Sequence, residues 1–103
     1  MKRNVAILVF DDVEVLDFAG PFEVFAVTDE LRGHGEFHVY TVSELRATVR
    51  AKNGLKIVPD FTLEACPPAQ VVVLPGGSGS RAVLNRPLLL EWGSKQAPVA
   101  GIV

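Results

Sequence analysis

The chain has 103 residues, 49% of them hydrophobic and 21% charged, with 10 basic against 12 acidic side chains and a net charge of −2. That length suits one small domain at most, and the near-neutral balance excludes a basic nucleic-acid footprint. The single cysteine excludes an intramolecular disulfide framework and any multi-cysteine zinc site.

An apolar run from Val5 to Phe10 follows Met1-Lys2-Arg3-Asn4 and closes on Asp11-Asp12. It is too short for a signal-peptide core or a membrane span, so a soluble protein of the reducing cytoplasm is expected. A continuous β-branched run of this kind reads as a strand buried on both faces, as in a parallel sheet covered by helices. Gly20-Pro21 then opens a predicted helix, because proline is tolerated in a first turn. Phe18, Phe22 and Phe25, with Val24, Val27 and Leu31, give it a broad apolar face, and Gly33 and Gly35 end it. Phe37 to Val42 is the second predicted strand, with Phe37, Val39 and Thr41 on one face and His38, Tyr40 and Val42 on the other.

Leu45–Val49 and Leu55–Val58 flank Ala51-Lys52-Asn53-Gly54 and read as a small hairpin, with Asn-Gly supplying the turn and Pro59-Asp60 the end. Val71 to Leu74 is another buried strand, running into Pro75-Gly76-Gly77-Ser78-Gly79-Ser80. Helical sequence follows from Arg81, interrupted at Pro87, with Leu88, Leu89 and Trp92 on its inner side; Val99 to Val103 begins a further strand. This succession is a doubly wound α/β pattern, and the predicted fold is a flavodoxin-like parallel sheet.

In open α/β sheets the ligand crevice lies at the carboxyl ends of strands, where the strand order reverses. If the first strand lies between Phe37–Val42 and Val71–Leu74, the flanking loops are Asp11 to Asp17 and Pro75 to Ser80. That topology sets a carboxylate-bearing segment beside a glycine-rich one. Together they offer an acid or base near a reacting atom and backbone N–H groups for developing negative charge. Glycine, lacking Cβ, lets those donors approach a ligand closely.

Other features point less far. Gly77-Ser78-Gly79-Ser80-Arg81-Ala82 fits G-x-G-x-x-A but follows a late strand, and no acidic residue lies about 20 positions on, so a tight turn with exposed amides is favoured over nucleotide binding. His34 and His38 lack a third ligand nearby and read as solvated or edge histidines rather than a metal site. Cys66, within Ala65-Cys66-Pro67-Pro68, precedes a strand and reads as a packed or surface thiol. Asp11, Asp12 and Glu14 read as a solvated loop. Asp17 has two readings, a cap for the helix after it or a site residue.

Two stretches carry a resemblance. Val5 to Phe10 with Leu16-Asp17-Phe18-Ala19-Gly20-Pro21-Phe22-Glu23-Val24-Phe25 resembles the N-terminal signature of the ThiJ/PfpI family, within the class I glutamine amidotransferase-like superfamily. Ala65 to Gly79, centred on Val71-Val72-Val73-Leu74-Pro75-Gly76-Gly77, resembles in particular its bacterial isonitrile hydratase branch. The similarity runs over essentially the whole chain. The order D-x-x-G-P-x-E-V-F then V-V-L-P-G-G-x-G is specific to the superfamily and less so to one activity. Its members include hydratases, deglycases, amidases and ligand-sensing domains of AraC-type transcription regulators.

The resemblance implies that Asp17 is the acid that hydrogen-bonds a nucleophilic cysteine and moves protons. It implies that Gly77, with Gly76 and Ser78 beside it, supplies backbone N–H to an anion-stabilising pocket. In relatives the nucleophile follows the strand corresponding to Pro98–Val103, so the expectation is an N-terminal half-domain with its cysteine just beyond Val103. Cys66 precedes the glycine loop and is not that residue. A fragment, a natural truncation and a break at a chemically modified cysteine all fit this order. The implied activity is hydration of a small-molecule isonitrile to an N-substituted formamide, needing no metal or organic cofactor, in a homodimer.

Overall fold

The computed structural model describes residues 3–44 and 48–75. The elements in chain order are β1 (Arg3–Leu8), α1 (Val15–Leu31), β2 (Phe37–Ser43), β3 (Val49–Arg50), β4 (Lys56–Ile57), β5 (Phe61–Thr62) and β6 (Val71–Val73). Four strands form one parallel sheet in the order β5-β2-β1-β6, and β3 and β4 form a separate antiparallel pair.

The apolar run at Val5 becomes the interior strand β1. Val5, Ala6, Ile7 and Val9 are fully buried, so successive side chains on both faces are covered. Each such Val or Ile contributes about 1.5–3 kcal/mol of burial free energy. Val5 pairs with Val39 on one side and Val71 on the other, which sets β1 between β2 and β6 as the topological argument requires. The fold is mixed α/β with a parallel central sheet, the flavodoxin-like arrangement expected. The predicted helix from Arg81 and strand from Val99 lie outside the described residues.

The helix differs from expectation at its start. α1 begins at Val15 rather than Gly20, and Pro21 lies inside it. Proline there removes the N–H that would bond the Asp17 carbonyl. Burial overrides that loss: Val15, Phe18, Ala19, Phe22 and Phe25 recur at three- and four-residue intervals and pack on the core. Phe25 meets Phe37 of β2 edge-to-face, ring centroids 5.1 Å apart.

The second apolar series does not join that face. Leu16 and Leu31 are 80% and 81% exposed, and Val24 and Val27 are also exposed. At 3.6 residues per turn, Val24 lies roughly 120° around the helix from Phe18, too far to share one contact surface.

The far end of α1 follows its glycine signal. The His34 N–H donates to the Asp29 carbonyl at 2.8 Å and the Gly33 N–H to the Glu30 carbonyl at 3.2 Å, with Gly33 at φ 83°. These are the two reversed bonds of a Schellman motif, and they need the left-handed conformation that glycine adopts at least cost. Gly35 takes no such conformation, so only one of the two glycines ends the helix.

The hairpin forms with Val49 opposite Ile57 and Arg50 opposite Lys56, its second strand shorter than the predicted Leu55–Val58, while residues 45–47 of the first predicted strand lie outside the described residues. Asn53 and Gly54 both take positive φ, 70° and 97°, which explains the Asn-Gly pair at this tight turn. β5 went unpredicted, because a two-residue edge strand has no periodicity to read. It is held by Asp60, whose carboxylate accepts the Thr41 N–H at 2.9 Å while its own N–H donates to the Thr41 hydroxyl at 3.0 Å.

Candidate active site

β2 lies on one side of β1 and β6 on the other, so the strand order reverses between β1 and β6. Chains leaving two such strands diverge and open a crevice at their carboxyl ends. From β1 the backbone passes through buried Val9 and Phe10 into the loop Asp11–Glu14 and then α1. From β6 it passes through Leu74 and buried Pro75. Gly76, Gly77 and Ser78, the sequence candidates for anion binding, lie outside the described residues, as does the G-x-G-x-x-A stretch.

Asp17 stands on the first of these exits. It is half-buried and is the third residue of α1, in the turn where helix N–H groups lack intrahelical partners. A negative charge there is favoured by the helix dipole. Asp17 is not the cap, because the N-cap position falls to Glu14, which makes no side-chain cap bond. The Asp17 N–H donates to the Glu14 carbonyl at 3.0 Å, so the carboxylate sits one turn beyond the loop. An acid so placed stands one turn past the carboxyl end of β1, beside the reversal of strand order, and is not fully withdrawn from water.

The loop itself is more ordered than a solvated turn. Asp11 and Asp12 are exposed, yet the Asp11 Oδ1 accepts the Arg50 N–H at 3.1 Å and the Asp12 N–H donates to the Arg50 carbonyl at 2.8 Å. The Lys52 N–H donates to the Val13 carbonyl at 3.0 Å, and Lys52 Nζ lies 2.9 Å from Glu14 Oε1. That hydrogen bond and the adjacent charge raise the Lys52 pKa. Asp12 reaches this geometry with φ at 69°, a conformation aspartate tolerates better than most side chains.

The remaining titratable candidates are structural. Cys66 is half-buried against the core, with Sγ 3.6 Å from the Leu63 carbonyl. Its segment lies beside the start of β1, where the Asn4 side chain donates to the Pro68 carbonyl at 2.8 Å, at the end of the sheet away from the crevice. Tyr40 donates its hydroxyl to the Pro67 carbonyl at 2.8 Å, and burial, then the nearby Cys66, push its pKa up to about 12. His34 is exposed beside the helix end and His38 exposed on β2, its ring 5.3 Å from that of Tyr40. Among the described residues no three His, Cys, Asp or Glu side chains gather as a metal ion would need, and no helix is long and apolar enough to cross a membrane.

Sequence reading missed Asp29, a buried carboxylate whose Oδ1 accepts the N–H groups of Glu36 and Phe37 at 2.7 and 2.8 Å. Its position four residues before the helix-ending Gly33 was the available signal, since a carboxylate there can turn back on the chain that follows.

Comparison with known proteins agrees with this architecture. Isonitrile hydratase of Pseudomonas putida is 29% identical over 103 residues, covering 100% of this chain and 42% of that protein. A ThiJ/PfpI family protein from Pseudomonas syringae superposes with a TM-score of 0.79 and 26% identity, over 98% of this chain and 42% of that one. An AraC family transcriptional regulator from Pseudomonas putida superposes with a TM-score of 0.73 at 19% identity, over 96% of this chain and 55% of that one, a likeness of fold alone. The chain therefore spans less than half the length of the hydratase that it matches. A family model described as the DJ-1/PfpI family matches residues 3–103, and with the parallel central sheet in agreement, the chain belongs to the DJ-1/PfpI family.

Proposed function

We propose that this chain is the N-terminal part of a single DJ-1/PfpI domain, and that the whole domain is a cysteine-dependent hydro-lyase converting an isonitrile to an N-substituted formamide. The observation that carries this reading is Asp17: a half-buried carboxylate in the first turn of α1, at the end of β1 where the strand order reverses beside β6. The 29% identity to an isonitrile hydratase supports the choice of substrate class.

In the proposed reaction a cysteine thiolate, supplied beyond Val103, attacks the terminal isonitrile carbon and forms a C–S bond. Asp17 delivers a proton to that carbon, giving a thioimidate. Water, deprotonated by the Asp17 carboxylate, then adds to the same carbon. The C–S bond breaks, the thiolate leaves, and the proton of the added hydroxyl passes to the nitrogen, giving R–NH–CHO with Asp17 again protonated. Backbone N–H groups of Gly76 and Gly77, with Ser78 beside them, stabilise the negative charge that develops. The proposed protein is cytoplasmic and homodimeric.

The test is formamide production from an N-alkyl isonitrile by the full-length protein, followed by NMR. Asp17→Asn is expected to lower turnover at least about a hundredfold, the low end for acid–base catalysis. Near-wild-type turnover by that variant refutes the assignment. The fold likeness to an AraC family regulator supports a second reading, a ligand-sensing domain without turnover. Saturable isonitrile or amide binding with no formamide formed favours it, whereas hydrolysis of an amide or of a glycated thiol favours an amidase or deglycase on the same site.

A further inference from the structure

The geometry points to the β3–β4 hairpin as a positioning clamp for Asp17, with Lys52 and Asp11 as the side chains that hold it; this rests on the reading of Asp17 as the acid. Every residue from Asp11 to Glu14 is tied to Arg50 or Lys52. Asp11 takes the Arg50 N–H, Asp12 gives its N–H to the Arg50 carbonyl, Val13 takes the Lys52 N–H, and Glu14 takes the Lys52 ammonium. The two side-chain ties join residues 39 and 38 positions apart, so they are tertiary and not turn geometry.

The clamp is anchored from beneath. Val13 is fully buried and Ala51 and Val49 are 1% exposed, so loop and hairpin share the core as well as these polar ties. Beyond Glu14 there is no slack: its carbonyl accepts the Asp17 N–H at 3.0 Å, and the intervening residues are the first turn of α1. A displacement of Glu14 is carried to Asp17 by a hydrogen-bonded turn. A general acid must come within about 2.6–3.2 Å of the atom it serves.

Stability alone does not explain the Lys52–Glu14 pair. Both side chains are about half exposed, and such pairs contribute little to folding. Its distinctive placement is at the one segment that fixes where α1 begins, and therefore where its third residue stands.

The experiment uses the full-length protein and the substitutions Lys52→Met and Asp11→Ala, with Lys56→Met on the same hairpin as control, since Lys56 is exposed. A misplacement of a catalytic group by 1 Å costs up to about a hundredfold, so each clamp variant is expected to lower kcat about tenfold. KM should stay within twofold and Tm within a few degrees, with Lys56→Met unchanged. In an Asp17→Asn background, Lys52→Met should bring no further loss. A second readout is independent of turnover: the 13C carboxyl resonance of Asp17, identified by its absence in Asp17→Asn, should shift or broaden in both clamp variants and not in Lys56→Met. If the wild-type protein forms no formamide, the functional reading falls and this resonance alone decides the clamp. An unmoved resonance, an equal kcat loss in the Asp17→Asn background, or a fall in Tm without a fall in kcat overturns it. Should Asp11→Ala fail to fold, Lys52→Met carries the test.

Discussion

Asp29→Ala is expected to destabilise the protein by about 2–3 kcal/mol. Asp29 is 8% exposed, and its Oδ1 accepts two backbone N–H groups, from Glu36 at 2.7 Å and Phe37 at 2.8 Å. Bonds to a charged acceptor contribute about 1.5–3 kcal/mol each. Glu36 and Phe37 are only half-buried, so water can partly replace the carboxylate and the lower end applies to both. Against that, a carboxylate near the C-terminal end of a helix opposes the helix dipole, and removing it returns about 0.5 kcal/mol. His34, 3.8 Å away and well exposed, adds little. Asp29→Asn keeps an oxygen in place and relieves the dipole conflict, so its loss should be near 1 kcal/mol. Urea denaturation of the full-length protein, followed by circular dichroism at constant m-value, measures both. A loss under 0.5 kcal/mol for Asp29→Ala, or equal losses for the two variants, would show that the carboxylate does not close the α1–β2 turn.

Gly33→Ala should cost about 1–2 kcal/mol, because nothing lies within 4 Å of the added Cβ and the whole penalty comes from φ at 83°. Gly35→Ala, equally unobstructed and without a left-handed backbone, should be neutral or slightly stabilising; equal losses at both positions would contradict the Schellman reading. Tyr40 bears on alkaline stability: burial raises its native pKa from 10.0 to about 12, so the native state favours the neutral phenol. Its contribution is therefore intact below pH 10 and lost as pH rises from 10 through about 12. Tyr40→Phe should lose about 1 kcal/mol at neutral pH, from the bond to the Pro67 carbonyl, yet show a shallower fall in Tm above pH 10; an identical alkaline fall refutes the burial argument.

Much of the site's setting was legible in the chain. A continuous run of apolar residues must be covered on both faces, so Val5 to Phe10 announced an interior parallel strand, and the structure buries it between β2 and β6. Asn53-Gly54 and Gly33 were readable because positive φ is a local property of those residue types. The start of α1 was not, since Gly20-Pro21 is a local start signal, whereas burial of Val15, Phe18 and Phe22 carries the helix back to Val15 with Pro21 inside it. Nor could periodicity tell which of two interleaved apolar series on α1 faces the core. Both recur at helical intervals, and only the sheet's position selects Phe18, Phe22 and Phe25 over Val24, Val27 and Leu31.

By itself, then, the sequence determined the parallel α/β architecture, the turn glycines and the family signature that singles out Asp17. Each of these depends on residue type, spacing or motif order within the sequence itself. The tertiary structure alone decided that Glu14 rather than Asp17 occupies the N-cap and that Asp29 closes the helix onto β2. It alone tied the Asp11–Glu14 loop to a hairpin nearly forty residues away. Those facts depend on which distant groups meet when the apolar faces are buried, and polar partners chosen by packing leave no periodic trace in the chain.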